Sequence, residues 1–156
     1  MKKSILILIT VAVISLHGFA QKKVEKLKRW EANLSWLYSS IPSIKENLFK
    51  SEIHVGYNIN ETWGAGISYT HKFINNKGIA DDIAFIGSWK PKPLFTMNAG
   101  LNYKLPKGDE GSALGFYNEI EFNFKLAKAI EFGPLAGSVL AKNTELYAGV
   151  HLGFEF

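Results

Sequence analysis

Apolar and polar residues alternate along this chain in eight successive runs, which together occupy residues 30–156. A period of two places successive side chains on opposite faces of a β-strand. The first run, for example, sets Trp30, Trp36 and Tyr38 against Glu31. Each run has about the 9–11 residues that a tilted strand needs to cross a bilayer. The pattern therefore predicts an all-β chain of eight strands, each with one apolar and one polar face.

Two kinds of small barrel share this alternation and differ in which face is inside. A soluble secreted carrier of the lipocalin or avidin kind places the apolar face inside, whereas a membrane barrel turns it toward lipid. Glycine favours the membrane barrel, because it weakens an exposed strand but fits the crowded interior of a narrow barrel. Nine glycines lie on the polar face: Gly56, Gly64, Gly66, Gly100, Gly115, Gly133, Gly137, Gly149 and Gly153.

Aromatic residues are sorted by depth along the predicted strands. One group lies near the short turns, a second lies near the opposite strand ends, and smaller aliphatic residues lie between them. Two aromatic girdles around an aliphatic belt are typical of a lipid-facing surface, because amphipathic rings prefer the headgroup level. The sequence therefore predicts an eight-stranded antiparallel up-and-down transmembrane β-barrel. Its membrane-interface aromatics would include Trp30, Trp63, Trp89 and Phe156.

The first twenty residues have the layout of a cleavable secretory signal. Lys2 and Lys3 precede an apolar run, and the small residues Gly18 and Ala20 stand just before the expected cleavage point at Gln21. An uncleaved anchor is the weaker alternative, because a spanning helix needs about 20 apolar residues. Three segments are therefore predicted: a signal peptide at residues 1–20, a short periplasmic leader at 21–28 and an outer-membrane β-barrel domain at 29–156.

Cysteine content and charge exclude several classes of protein. The chain has no cysteine, which excludes a lipid-anchored lipoprotein, a disulfide framework and thiolate chemistry. Without Lys2 and Lys3 the 18 basic residues become 16, against 14 acidic ones, so the net charge is +2. That charge is too small to indicate nucleic-acid binding. Phosphate-binding loops and nucleophile elbows are also missing from the sequence, and we expect no cofactor.

The C-terminus resembles the terminal signal that barrel-insertion machinery reads. Phe154-x-Phe156 matches the ending, but His151 stands where that signal usually has glycine. Across the mature chain the pattern resembles the small eight-stranded bacterial outer-membrane proteins, such as the adhesion and serum-resistance barrels and the transmembrane half of the major structural porin-like protein. This architectural resemblance implies a bacterial outer-membrane location, a monomer, and contacts with outer-membrane lipid and the insertion machinery.

The connections between the runs alternate in length. Short periplasmic turns and longer external loops are typical of outer-membrane barrels. The longer connections here are Ser39–Leu48 and Pro106–Ala113, and a surface partner would meet the protein through such loops.

Charged residues on the polar face predict a network inside the lumen. A plug of mutually paired charges is favoured over an ion path, because buried charges must pair and eight strands enclose little open space. His54 and His151 lie on strands separated by the first strand, without metal-site spacing, so no metal site is predicted. The predicted network consists of Glu31, Glu52, Lys72, Lys104, Glu119, Glu121 and Lys125.

One outward row could carry chemistry. If facing residues share a face, Ser51 opposes His71 and His71 opposes Asp81 on adjacent strands, near the outer leaflet. A Ser, His, Asp row on the lipid side would suit a lipid A deacylase, although the known deacylase barrels carry His-x-Ser on one strand, which is missing here. Three polar residues at the headgroup rim are the simpler interpretation. The sequence therefore favours a non-enzymatic barrel with a structural or surface-interaction role, with the barrel hydrolase and the soluble carrier as alternatives.

Overall fold

The computed structural model describes residues 29–74, 77–108 and 111–156. The predicted signal peptide and periplasmic leader, at residues 1–20 and 21–28, lie outside the described residues. Among the described residues, no helix is long and apolar enough to cross a membrane. The described chain forms nine strands: β1 (Trp30–Ile41), β2 (Glu46–Asn58), β3 (Trp63–Ile74), β4 (Lys77–Lys92), β5 (Phe95–Lys104), β6 (Ala113–Phe122), β7 (Phe124–Ala127), β8 (Ile130–Leu140) and β9 (Glu145–Glu155).

The strands form one closed antiparallel sheet. Each strand from β1 to β5 pairs with the strand that follows it, β8 pairs with β9, and β9 pairs with β1. Both β6 and β7 pair with β8, so they are two parts of one barrel strand. The predicted eight-stranded antiparallel up-and-down barrel is therefore confirmed.

A proline explains why the sixth barrel strand is interrupted. The register of β6 against β8 continues unchanged into β7. This register places Phe122 opposite Pro134, which has no backbone N–H to donate to the ladder. The hydrogen-bond ladder to β8 is broken there. On the other edge of the strand, Asn123 donates its backbone N–H to the Leu94 carbonyl at 3.0 Å and continues the register with β5.

The apolar face of each strand covers the outside of the barrel, and the polar face lines its interior. Trp36, Ile67 and Leu101 are each more than half exposed, whereas Ser68 and Asn98 are buried inside. Such an exterior is incompatible with a soluble barrel, because large contiguous apolar surfaces are not left in water. The soluble-carrier alternative is therefore wrong about which face is inside.

Aromatic rings contact one another across strands at both ends of the barrel. We call the end where β1 begins and β9 finishes the terminal end, and the opposite end the loop end. At the terminal end the ring centroids of Trp63 and Trp89 are 6.3 Å apart. At the loop end Phe49 lies 5.4 Å from Tyr38 and 6.1 Å from Phe73. The predicted interface residues Trp30, Trp63, Trp89 and Phe156 are all exposed on the outside.

The connection after β1 is shorter than the sequence indicated. The expected long loop at Ser39–Leu48 is wrong, because β1 and β2 stay paired as far as Ile41 and Glu46. Only residues 42–45 form the turn, in which Lys45 adopts a left-handed backbone with φ of 55°. The connection between β5 and β6 is the longer one, at residues 105–112.

Candidate functional site

Four buried charges form an ion-pair network across the lumen toward the loop end. Glu145 forms ion pairs with Lys50 at 2.8 Å and with Lys72 at 2.7 Å. It also accepts a hydrogen bond from the Ser39 hydroxyl at 2.7 Å. Lys72 reaches Asp82 at 2.7 Å as well. The two lysines therefore balance the two acids, as buried charges require. We call Lys50, Lys72, Asp82 and Glu145 the outer network.

The sequence pattern predicted only part of the outer network. Lys72 was predicted to be in the lumen, but Lys50 and Asp82 were missed. Lys50 was missed because the expected loop shortened the second run at its beginning, and Asp82 because adjacent acids at positions 81 and 82 obscure the alternation. The predicted Lys104 is half-buried at the register position opposite Asp82.

Apolar and aromatic side chains block the middle of the lumen. Ile86, Tyr117 and Tyr147 are almost fully buried there, and Lys50 Nζ lies 3.6 Å from the centre of the Tyr147 ring. The sequence predicted a plug of mutually paired charges in the interior. The buried apolar cluster consists of Leu37, Ala84, Ile86, Tyr117, Leu135, Val139 and Tyr147.

Three predicted lumen acids lie together near this cluster. Glu52 accepts hydrogen bonds from the Thr70 hydroxyl at 2.9 Å and the Tyr117 hydroxyl at 3.2 Å. The Asn98 amide donates to Glu119 at 3.2 Å and to Glu121 at 2.7 Å. We call Glu52, Glu119 and Glu121 the central acids. Among the residues that the structure describes, no lysine or arginine forms an ion pair with any of them, so the expectation of mutually paired charges is wrong at this level of the lumen.

The remaining predicted lumen charges lie at the terminal end. Glu31 is ion-paired with Lys90 and accepts a hydrogen bond from the Asn58 amide at 3.2 Å. Lys125 was predicted to be inside but lies at the exposed rim, 3.8 Å from Glu131 and 3.7 Å from Glu155. It lies in β7, the last part of its barrel strand, where the chain leaves the sheet.

The outward row has the strand register that the sequence predicted. Ser51 is opposite His71, and His71 is opposite Asp81. His71 Nδ1 lies 2.6 Å from Asp81 Oδ1, so the imidazole is held by the carboxylate. Asp81 also accepts a hydrogen bond from Tyr69 at 2.8 Å and lies 3.5 Å from Lys107 Nζ.

The imidazole of this row is turned away from the serine. A Cβ placed on Gly78 would lie 2.9 Å from His71 Nε2, so this ring atom faces β4. Ser51 lies on β2, the opposite neighbour of β3, and makes no hydrogen bond with His71 among the described residues. Because a nucleophile needs its base within hydrogen-bond reach, the row contains an oriented His–Asp pair without an activated serine.

No metal-binding group of three or more His, Asp or Glu side chains occurs among the described residues. His54 and His151 are each buried inside the barrel, on β2 and β9.

Comparison with known proteins identifies a fold and no sequence family. No family model matches the chain, and no curated protein matches it. The N-terminal β-barrel domain of Pseudomonas aeruginosa OprF matches with a TM-score of 0.59 at 12% identity, over 85% of this chain and 100% of that one. Neisserial surface protein A matches with a TM-score of 0.58 at 15% identity, over 81% and 96% of the two chains.

A third similar structure is Ail, the attachment invasion locus protein of Yersinia pestis, solved in complex with the heparin analogue sucrose octasulfate. Its TM-score is 0.53 at 9% identity, over 82% of this chain and 97% of that one. These likenesses concern the fold alone. The chain has the fold of the small eight-stranded outer-membrane barrels.

Proposed function

We propose that this protein is a non-enzymatic outer-membrane barrel with a structural or surface-interaction role. The observation that carries the proposal is the combination of an apolar, aromatic-girdled exterior with a blocked interior. Such an apolar exterior requires lipid around it. Closure of the sheet provides hydrogen-bond partners for the backbone N–H and C=O groups, which lipid cannot provide. The blocked lumen favours a role at the surface or in the envelope over one in transport.

The proposal includes the route and orientation of the protein. Residues 1–20 would direct export, the insertion machinery would read the C-terminal strand, and the terminal end would face the periplasm. A monomer is expected, because every barrel strand is already paired within the chain. A surface partner would meet the loop end, where residues 105–112 form the longest connection among the described strands.

Fractionation and gel mobility test this proposal. A closed barrel resists detergent, so we expect the protein in the outer-membrane fraction and a shift in its mobility on SDS gels after boiling. Protease added to intact cells should cleave a tag inserted at residue 108 but not one placed after Phe156. Full solubility without detergent, together with identical mobility before and after boiling, would refute the membrane assignment.

Hydrolysis of lipid A is the second candidate, and the observation in its favour is the 2.6 Å contact between His71 and Asp81. We expect no activity, because His71 Nε2 faces away from Ser51. Mass spectrometry would compare lipid A from cells that express the wild type, Ser51→Ala or no protein. Loss of an acyl chain with the wild type alone would establish the hydrolase instead.

A further inference from the structure

The central acids are packed closely inside the barrel. Glu52, Glu119 and Glu121 are each no more than 4% exposed. Glu119 and Glu121 lie two residues apart on β6 and share one amide donor, Asn98, at 3.2 and 2.7 Å. Two buried carboxylates that share one donor cannot both ionise readily, because each disfavours the charge on the other.

Nearby cations are already bonded to other acids. Lys50 and Lys72 are paired with Glu145 and Asp82 in the outer network. The only donors to Glu52 that the structure shows are two hydroxyl groups. Among the described residues, Oε2 of Glu119 is buried and receives no hydrogen bond from an N–H or hydroxyl group. A proton on one of the two neighbouring carboxyls would remove one of two buried charges that no cation among the described residues balances.

Other titratable groups face the central acids from the surrounding strands. His151 is 1% exposed and interacts electrostatically with Glu121. Both of its ring nitrogens are without a hydrogen-bond partner among the described residues. Tyr117 and Tyr147 lie between the central acids and the outer network. The other titratable residues on the inner face of the barrel, at any depth, are Glu31 on β1, Lys50 and His54 on β2, Lys72 on β3, Asp82 and Lys90 on β4, Lys104 on β5, Tyr117 on β6, Glu131 on β8, and Glu145, Tyr147, His151 and Glu155 on β9.

A pocket extends from Glu121 toward the terminal end. Its lining includes Glu31, Lys90 and Glu131 near the rim and reaches Glu121. On the other side, the buried apolar cluster and the outer network separate the central acids from the loop end. The Glu121 side of this pair is therefore the side open toward the terminal end.

We propose that Glu119 and Glu121 form a proton-binding site, in which one shared proton is held at neutral pH and exchanges through the terminal end. In the unfolded chain both carboxyls would be ionised at neutral pH. The folded barrel then binds one more proton than the unfolded chain, so its stability falls as pH rises. This inference goes beyond the proposed function, because it holds wherever the closed barrel is folded.

Urea unfolding as a function of pH tests the site. The chain would be folded in detergent micelles and followed by the fluorescence of its four tryptophans. Between pH 6 and pH 9 we expect the unfolding equilibrium constant of the wild type to rise by up to about tenfold per pH unit. Glu119→Gln keeps an acceptor for Asn98 but removes the shared proton, so it should flatten this dependence and be more resistant to urea at pH 9.

Glu46→Gln is the matched control, because Glu46 is exposed at the loop end of β2. It should retain the pH dependence of the wild type. Infrared spectra of the folded wild type provide a test that needs no variant to fold. We expect a carbonyl band of protonated carboxyl groups at pH 7, which Glu119→Gln or Glu121→Gln weakens. Absence of this band from the wild type, or an unchanged pH dependence in Glu119→Gln, would overturn the proposal.

Discussion

Glycines make room for the large polar side chains inside this barrel. A Cβ added to Gly56 would lie 2.9 Å from Cγ of Glu31, and one added to Gly137 would lie 2.6 Å from the hydroxyl of Tyr147. Both contacts are shorter than neighbouring heavy atoms allow, so each large side chain occupies the space beside a glycine on the adjacent strand. The sequence pattern showed that glycines share the polar face, and the structure shows that Gly56 and Gly137 accommodate Glu31 and Tyr147.

At the residue scale, the two faces of β3 should respond differently to the same substitution. Ile67→Arg places a cation on the lipid-facing surface near the middle of the barrel, at a cost of about 2–4 kcal/mol in the free energy of unfolding. The conservative variant Ile67→Leu should remain close to the wild type. Urea unfolding in lipid vesicles provides the measurement, and full tolerance of arginine at Ile67 would mean that this face does not contact lipid.

Ser68→Arg is the companion variant on the inner face. Ser68 is completely buried, so a long cation there would crowd the lumen and prevent folding rather than lower stability by the membrane penalty. The folded fraction on unboiled gels measures this difference. Normal folding of Ser68→Arg would show that the interior is wider than the structure indicates.

At the scale of elements, the connections determine how far each strand extends. The β1–β2 turn is closed by hydrogen bonds from Ile44 to Ile41 at 3.2 Å and from Lys45 to Pro42 at 3.4 Å. This tight turn lets β1 and β2 pair along their full length, which brings Lys50 into the lumen. Pro134 acts in the opposite way and interrupts the ladder between β6 and β8.

The backbone conformation of Lys45 in the turn after β1 can be tested by substitution. Lys45 has a left-handed backbone, which costs a non-glycine residue about 1 kcal/mol or more. Lys45→Gly should therefore increase the free energy of unfolding by up to about 1 kcal/mol. Lys45→Val should lower it, because a β-branched residue tolerates this conformation poorly. The same urea titration checks both, and equal stability of the two variants would contradict the turn geometry.

At the scale of the whole molecule, closure of the barrel and filling of its interior act together. The sheet leaves a lumen that is narrow enough for Leu37, Ile86 and Leu135 to meet across it, and the outer network closes the space toward the loop end. These described side chains therefore lie across the lumen between its two ends.

We therefore expect no stable single-channel steps from the purified protein in planar bilayers. The same preparation should show the mobility shift of a folded barrel, which serves as the control for insertion-competent protein. Reproducible cation-selective steps that vanish in Glu121→Gln would contradict the blocked lumen and make the protein a small channel.

The local sequence pattern was sufficient to predict the number of barrel strands, the two faces of each strand and the sorting of the aromatic residues by depth. The reason is physical: the side-chain period of a strand and the chemistry of its two surroundings are both local properties. The register of β2, β3 and β4 could also be predicted, because a shift by one residue would move every side chain to the wrong face.

Only the tertiary structure decided which charges meet. Lys50, Asp82 and Glu145 come from strands far apart in sequence, and their contacts depend on how the closed sheet brings its walls together. The direction of the His71 ring likewise depends on Asp81 and Gly78 of the neighbouring strand. The alternation of side chains along a strand predicts that a given side chain points inward. Which partner it meets across the lumen is set by strand tilt and closure, which are properties of the whole barrel.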